Sequence, residues 1–219
     1  MFTGIIESIG NIGAIIRHNE DLSIVVNTNN LDISDVNIGD SIATNGVCLT
    51  VSKLLPSGYT ADLSLETYKR TAFHSYRIGQ EVNLEKAMLP TTRLGGHLVS
   101  GHVDGVGEVI EFKRNGRAIN IWVAVPVQLK KYLSEKGSVT IDGISLTINA
   151  VYQNIIKLTI VPHTLAETNL VNINVDKKVN IEIDMVARYL EKLIKVDRYE
   201  SEKASTVSMS LLERYSFIS

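Results

Sequence analysis

Five side chains have the chemistry to hold or move protons or to add to an electrophile: Cys48, His97, His102, Lys136 and Ser145. Cys48 stands in NGVCLTV (45–51) and Ser145 in DGISLTI (142–148), so a thiol and a hydroxyl take the same place in two copies of one pattern. His102 stands in SGHVDG and His97 in GGHLVSG. An imidazole that titrates near neutrality suits transfer of a proton to or from a weakly acidic substrate. Taken singly, each residue has a plainer reading. A lone cysteine is ordinarily a small buried hydrophobe, and a strand histidine is more often structural. Lys136 closes the amphipathic run VQLKKYLSEK and Gly137 follows it, where a helix end favours both a cation and a glycine. The chain has no HExxH, no paired CxxC and no GxGxxG opening a helix, so neither a resident metal nor a dinucleotide cofactor is expected.

The match between Cys48 and Ser145 belongs to a register that runs through the whole chain. At the same offset of 97 positions Gly4 meets Gly101, Gly10 meets Gly107, Thr67 meets Thr164, Thr71 meets Thr168, and VNLE (82–85) meets VNIE (179–182), without a gap. A period so far above the roughly 20 to 50 residues of solenoids and propellers indicates duplication of a whole domain. The expected organisation is a first domain over 1–97, a second over 98–185, and an appended segment over 186–219. The linker is AMLPTTRLGG (87–96), which carries Pro and a Gly pair.

Each half reads as short strands. They are ESIGNIGAII, LSIVVN, SIATNG, VCLTVSKLL and YTADLSL in the first, and INIWVAV, SVTIDG, SLTINAVY and IIKLTIVP in the second. Short helices are expected at 66–72 and 127–135. Many short strands with little helix predict antiparallel barrels, because closure removes sheet edges. Val186, Tyr189, Leu190, Leu193 and Ile194 share one face of a helix behind Asp184 as N-cap, and a weaker helix is expected over 207–215.

Composition narrows the functional classes. With 219 residues, 44% hydrophobic, the chain can form two small cores. A net charge of −2 argues against phosphate-neutralising nucleic-acid binding, and 6% aromatic content with one Trp argues against a base-stacking platform. A single cysteine excludes an intramolecular disulfide and suits a reducing compartment. The start MFTGIIESIGNIGAII lacks the basic and continuous apolar regions of a signal peptide, and no apolar run reaches the ~18 residues of a membrane span. A cytoplasmic protein is expected.

Four motifs, MFTGI, NGVCLTV, GGHLVSGHVDG (95–105) and DGISLTI, together resemble the riboflavin synthase family over nearly the whole chain. That resemblance implies two six-stranded Greek-key β-barrels, a C-terminal helix and a homotrimer, with lumazine synthase as a further partner. It implies a transferase that needs no cofactor and converts two molecules of 6,7-dimethyl-8-ribityllumazine into riboflavin and 5-amino-6-ribitylamino-2,4(1H,3H)-pyrimidinedione. The site is expected between the first barrel of one subunit and the second barrel of its neighbour.

By the same resemblance Cys48, His102, Ser145, Ser41 and Lys136 carry the chemistry, with Lys136 stabilising an anionic substrate. The contact segments it implies are Gly4, Ile5, Ile6, Leu49, Thr50 and Asp62, Leu63, Ser64, Leu65, Glu66, Thr67 in the first barrel. In the second they are Gly101, Val103, Leu146, Thr147 and Thr159, Ile160, Val161, Pro162, His163, Thr164. Cys48 against Ser145, and Glu66 against His163, make the two pockets unequal. A non-catalytic lumazine- or flavin-binding relative is the alternative; it needs only one intact pocket, whereas both repeats here keep their motifs.

Overall fold

The computed structural model describes residues 1–18 and 21–204. The first repeat forms β1 (Ser8–His18), β2 (Asp21–Asn27), β3 (Ser41–Thr44), β4 (Val47–Leu55), β5 (Gly58–Leu63) and β6 (Glu81–Lys86), with α1 (Leu65–Arg70) between the last two. The second forms β7 (Gly105–Asn115), β8 (Ala118–Ala124), β9 (Ser138–Ile141), β10 (Ile144–Tyr152), β11 (Ile155–Ile160) and β12 (Lys178–Ile183), with α2 (Pro162–Ala166). Every strand of the second set begins 97 residues after its counterpart. Both sets close into antiparallel barrels with the same Greek-key order, β1-β2-β5-β4-β3-β6 and its equivalent. Even the bulges repeat, between Ile12 and Ala14 and between Val109 and Glu111.

Strand alternation separates the barrel interior from its outer face. Along β4, Val47, Leu49 and Val51 are buried while Cys48 and Thr50 are not; along β10, Ile144, Leu146 and Ile148 are buried while Ser145 and Thr147 are not. The inward residues join two separate cores, one around Ile12, Ile24, Ile42 and Leu84, the other around Ile121, Ile141, Leu158 and Ile181. Each large side chain so buried contributes roughly 1.5 to 3 kcal/mol.

Where the barrels meet, the repeat becomes an approximate twofold. Phe2 and Val99, themselves 97 apart, exchange backbone hydrogen bonds at 2.8 and 3.1 Å. The turns Asn45-Gly46 and Asp142-Gly143 have positive φ at both residues, as a tight two-residue hairpin requires. They also touch across the axis: a Cβ on Gly46 would lie 2.7 Å from the Gly143 nitrogen. A buried polar lattice surrounds them. Asn83 Nδ2 donates to the Asp142 carbonyl at 3.0 Å and Asn180 Nδ2 to the Asn45 carbonyl at 2.9 Å.

The expected helix over 66–72 is α1 followed by a 3₁₀ turn (Ala72–Ser75). The expected helix over 127–135 is only a 3₁₀ segment, Val127–Tyr132, in which Leu129 alone is buried. Leu133 also reaches the core, but from an extended backbone that ends the segment. The run IIKLTIVP ends as a strand at Ile160, because Pro162 opens α2. β6, β7 and β12 are strands beyond those expected; in β6 and β12 the polar Asn83, Glu85, Asn180 and Glu182 are buried, so polarity does not report exposure there. Beyond Asp184 a separate unit begins with α3 (Met185–Ala204), on which Val186, Tyr189, Leu190, Leu193 and Ile194 are each more than half exposed. The helix expected over 207–215 lies outside the described residues.

The lattice departs from symmetry where Asn169, with two side-chain hydrogen bonds, matches Ala72, and at one carboxyl. Asn45 Nδ2 donates to the Tyr76 hydroxyl at 2.7 Å, whereas Asp142 Oδ2 has no partner among the described residues, the position matching Tyr76 being Ile173. Burial pushes Asp142 up from 3.8 to about 6 against the pull of Lys177. A carboxyl raised on folding stabilises the fold fully below its unfolded value and loses that contribution as pH rises through its folded one, here on the order of 3 kcal/mol. Asp142→Asn is therefore expected to gain stability relative to the parent as pH rises from 4 to 7, then to hold level. Denaturant unfolding of both proteins across that range checks it.

Candidate active site

Cys48 projects from the outer face of β4 into a cavity of about 360 Å³. Its walls are Val47, Ser64, Glu66, Thr67, Arg70 and Thr71 from the first repeat and Gly101, His102 and Val103 from the second. The second-repeat wall is fixed by backbone. The Cys48 N–H donates to the Gly101 carbonyl at 2.9 Å, and the Glu182 carboxylate accepts from the Ser100 N–H (2.7 Å), the Ser100 hydroxyl (2.6 Å) and the Gly101 N–H (3.0 Å). Gly101 has φ +81° and a Cβ there would lie 2.6 Å from Cys48 Cβ, so only glycine fits. Val103 packs against the first core.

The frame around Ser145 repeats this with the partners exchanged. The Ser145 N–H donates to the Gly4 carbonyl at 2.8 Å. Glu85 accepts from the Thr3 N–H (2.6 Å), the Thr3 hydroxyl (2.7 Å) and the Gly4 N–H (3.0 Å), and Ile6 packs against the second core. Burial raises the pKa of both glutamates while the three hydrogen bonds each receives act against that rise. Gly4, Ile5 and Ile6 therefore serve the second barrel, and Gly101, His102 and Val103 the first, the reverse of the assignment by repeat number. Each leading segment crosses the twofold before its own barrel begins.

The loops beside the two pockets are built alike from different residues. Ser64 caps α1, its Oγ accepting from the Thr67 N–H at 3.0 Å; Val161 has no such side chain, and Pro162 supplies the preset φ instead. Thr71 and Thr168 each donate to a carbonyl four residues back, of Thr67 and Thr164, at 2.7 Å. Asp62 and Thr159 are tied to Ser23 and Asn120 at 2.6 and 2.8 Å. Leu49, Leu63, Leu146 and Ile160 point into the cores, so only their backbones can meet a ligand. Thr50, Thr147, Leu65 and His163 are exposed, and Glu66 pairs with Arg70 at 2.9 Å.

Two expected residues stand apart from Cys48 and His102. Ser41 opens β3 opposite Thr50 and lines a different cavity, of about 760 Å³, with Lys86 and Arg93. Lys136 is exposed with φ +64°, its N–H donating to the Ile148 carbonyl at 2.8 Å.

Tandem barrels that repeat one outer-face frame, at Cys48 and at Ser145, define a duplicated-domain protein. A family described as Lumazine binding domain matches twice, over residues 3–87 and 100–184, so each barrel is one such domain. A riboflavin synthase from Photobacterium leiognathi is 96% identical over the whole of both chains. That of Photobacterium phosphoreum is 62% identical over the whole of both, and that of Bacillus subtilis (strain 168) 36% over 99% of this chain and all of its own. The chain belongs to the riboflavin synthase family. In fold it also matches LumP complexed with riboflavin, with TM-score 0.77 and 24% identity, covering 84% of this chain and 99% of that one.

Sequence reasoning missed the two glutamate clamps, although VNLE and VNIE already marked Glu85 and Glu182 as a pair at the repeat offset. It also missed Arg70, which no motif singles out. Because Glu182 holds the wall over Cys48, Glu182→Gln replaces one acceptor oxygen by a donor facing N–H groups. A loss of roughly 1.5 to 3 kcal/mol is expected, with faster alkylation of Cys48. Glu85→Gln should destabilise comparably but leave Cys48 as slow to alkylate as in the parent. Thiol-labelling rates and denaturant unfolding on both variants distinguish the two.

Proposed function

We propose that the chain is a riboflavin synthase acting as a cytoplasmic homotrimeric transferase, which passes a four-carbon unit between two molecules of 6,7-dimethyl-8-ribityllumazine. The observation that carries this reading is the duplicated outer-face frame around Cys48 and Ser145, which offers two nearly equivalent places to two copies of one substrate. The reaction is balanced without oxidant or reductant: C6, C7 and their methyls leave one lumazine as the pyrimidinedione and complete the xylene ring of the other. Holding the two molecules in register can lower a bimolecular barrier by roughly 7 to 11 kcal/mol.

In the first pocket His102 accepts a proton from the acidic C7 methyl, and Cys48 meets the reacting edge of the ring. In the second, Ser145 takes the corresponding place. Exposed hydroxyls of Thr50 and Thr147 reach the ribityl chains, and the strand-end backbone of residues 62–67 and 159–164 reads the ring edge. Ser41 and Lys136 lie outside the Cys48 cavity of their own chain. The separation of Lys136, which belongs to the second barrel, supports a complete site assembled from two copies, with the apolar face of α3 as the contact that joins them; Ser41 shares the barrel of Cys48 and is not brought to it by that assembly. Each fully buried large side chain there would supply about 1.5 to 3 kcal/mol, less the entropy of association.

Incubating the protein with the lumazine and following riboflavin fluorescence tests the reaction. Two lumazines consumed per riboflavin are expected, and equimolar conversion would exclude the dismutation. A chain ending at Asp184 is expected to fold and bind lumazine but to sediment as a monomer and lose most turnover; a monomer with full activity would place both substrates within one chain.

A further inference from the structure

His97 has no counterpart in the first pocket and no part in the steps above. Its Nδ1 lies 2.7 Å from Ser145 Oγ, a contact across 48 residues. Two backbone features put it there. The His97 N–H donates to the Thr3 carbonyl at 3.1 Å, and a Cβ on the preceding Gly96 would lie 2.2 Å from that same carbonyl oxygen and 2.7 Å from Ser145 Cβ. The linker thus passes closely over Ser145, with glycine where a side chain would force it away. The other ring nitrogen, Nε2, is buried and has no hydrogen-bond partner among the described residues.

That orphaned nitrogen decides the direction of the bond. Burial lowers the pKa of His97, against an opposing pull from Asp184, so near pH 7 the ring is neutral and carries one N–H. Placed on Nε2, the proton would be a buried donor without an acceptor, the rarer and costlier kind of unsatisfied group. On Nδ1 it is donated to Ser145 Oγ and leaves only a lone pair at Nε2. Ser145 Oγ is then an acceptor toward His97, and its own hydroxyl proton is free to point elsewhere. The side chain stands on the outer face of β10, the face of the second pocket. Cys48, at the matching place in the first pocket, makes no side-chain hydrogen bond among the described residues.

We propose that His97 is a positioning residue that makes the Ser145 hydroxyl a fixed hydrogen-bond donor to an acceptor atom of the lumazine in the second pocket. The first pocket, with the weaker donor Cys48 and nothing behind it, lacks this feature, so the linker itself makes the two halves of the duplication unequal. The inference rests on the lumazine reading given above and adds a direction to one contact within it.

A double-mutant cycle tests it, read both as lumazine affinity by fluorescence titration and as riboflavin formation. His97→Ala is expected to lose about tenfold in each, the scale of one hydrogen bond. Ser145→Ala should lose at least as much, and the pair together no more than Ser145→Ala alone. His97→Asn, whose amide N–H can stand in for Nδ1–H, should recover most of the loss. Losses that multiply in the double variant, or His97→Asn as impaired as His97→Ala, overturn the proposal. Parent protein that binds lumazine but forms no riboflavin would refute the catalytic reading, while the affinity cycle would still judge His97.

Discussion

Two buried carboxylates organise this molecule. Glu85 and Glu182 each grip a short stretch of backbone, Thr3-Gly4 and Ser100-Gly101, whose next carbonyl is read by the opposite barrel at Ser145 and Cys48. A carboxylate accepting three hydrogen bonds from a segment leaves it almost no freedom, so the crossing strands become rigid walls. The contacts that dock the barrels are thus the contacts that shape the pockets. Substitution of either glutamate disturbs interface and pocket together.

Around that frame the duplication supplies geometry and the substitutions supply difference. The backbone repeats at 97 residues through strands, bulges and positive-φ turns, which suits two copies of one substrate. The side chains then diverge at chosen points: Cys48 against Ser145, Asn45 against Asp142, Tyr76 against Ile173, Ser64 against Val161. Some divergences are only alternative solutions to one local problem, as with the capping serine of α1 and the leading proline of α2. Others leave a group unsatisfied. Asp142 Oδ2 and His97 Nε2 are buried without partners among the described residues, and both sit where one half has lost or gained something relative to the other. Unpaired buried groups cost stability, and in a chain otherwise well satisfied they mark where symmetry is broken.

Within the chain, Cys48 and His102 come together while Ser41 and Lys136 stay apart from them. A reaction between two bound molecules needs both binding places face to face, yet Cys48 and Ser145 of one chain stand on the outer surfaces of two different barrels. The homotrimer proposed above answers that requirement, with the exposed Val186, Tyr189, Leu190, Leu193 and Ile194 as its proposed surface.

Local pattern determined much of this protein. Alternation in VCLTVSKLL and SLTINAVY put Cys48 and Ser145 outside and their neighbours Leu49 and Leu146 inside, because a strand's side chains change face at every residue. The fixed offset of 97 then announced two equal domains. Other features had no local signature. That residues 4–6 lie at Ser145 and 101–103 at Cys48, that Glu85 and Glu182 are clamps, and that His97 reaches Ser145 all depend on contacts spanning 48 to 141 residues. Strand periodicity reports which way a side chain faces its own barrel and nothing about the barrel beyond it; only the docking of the two barrels about their twofold decided which segment lies over which pocket.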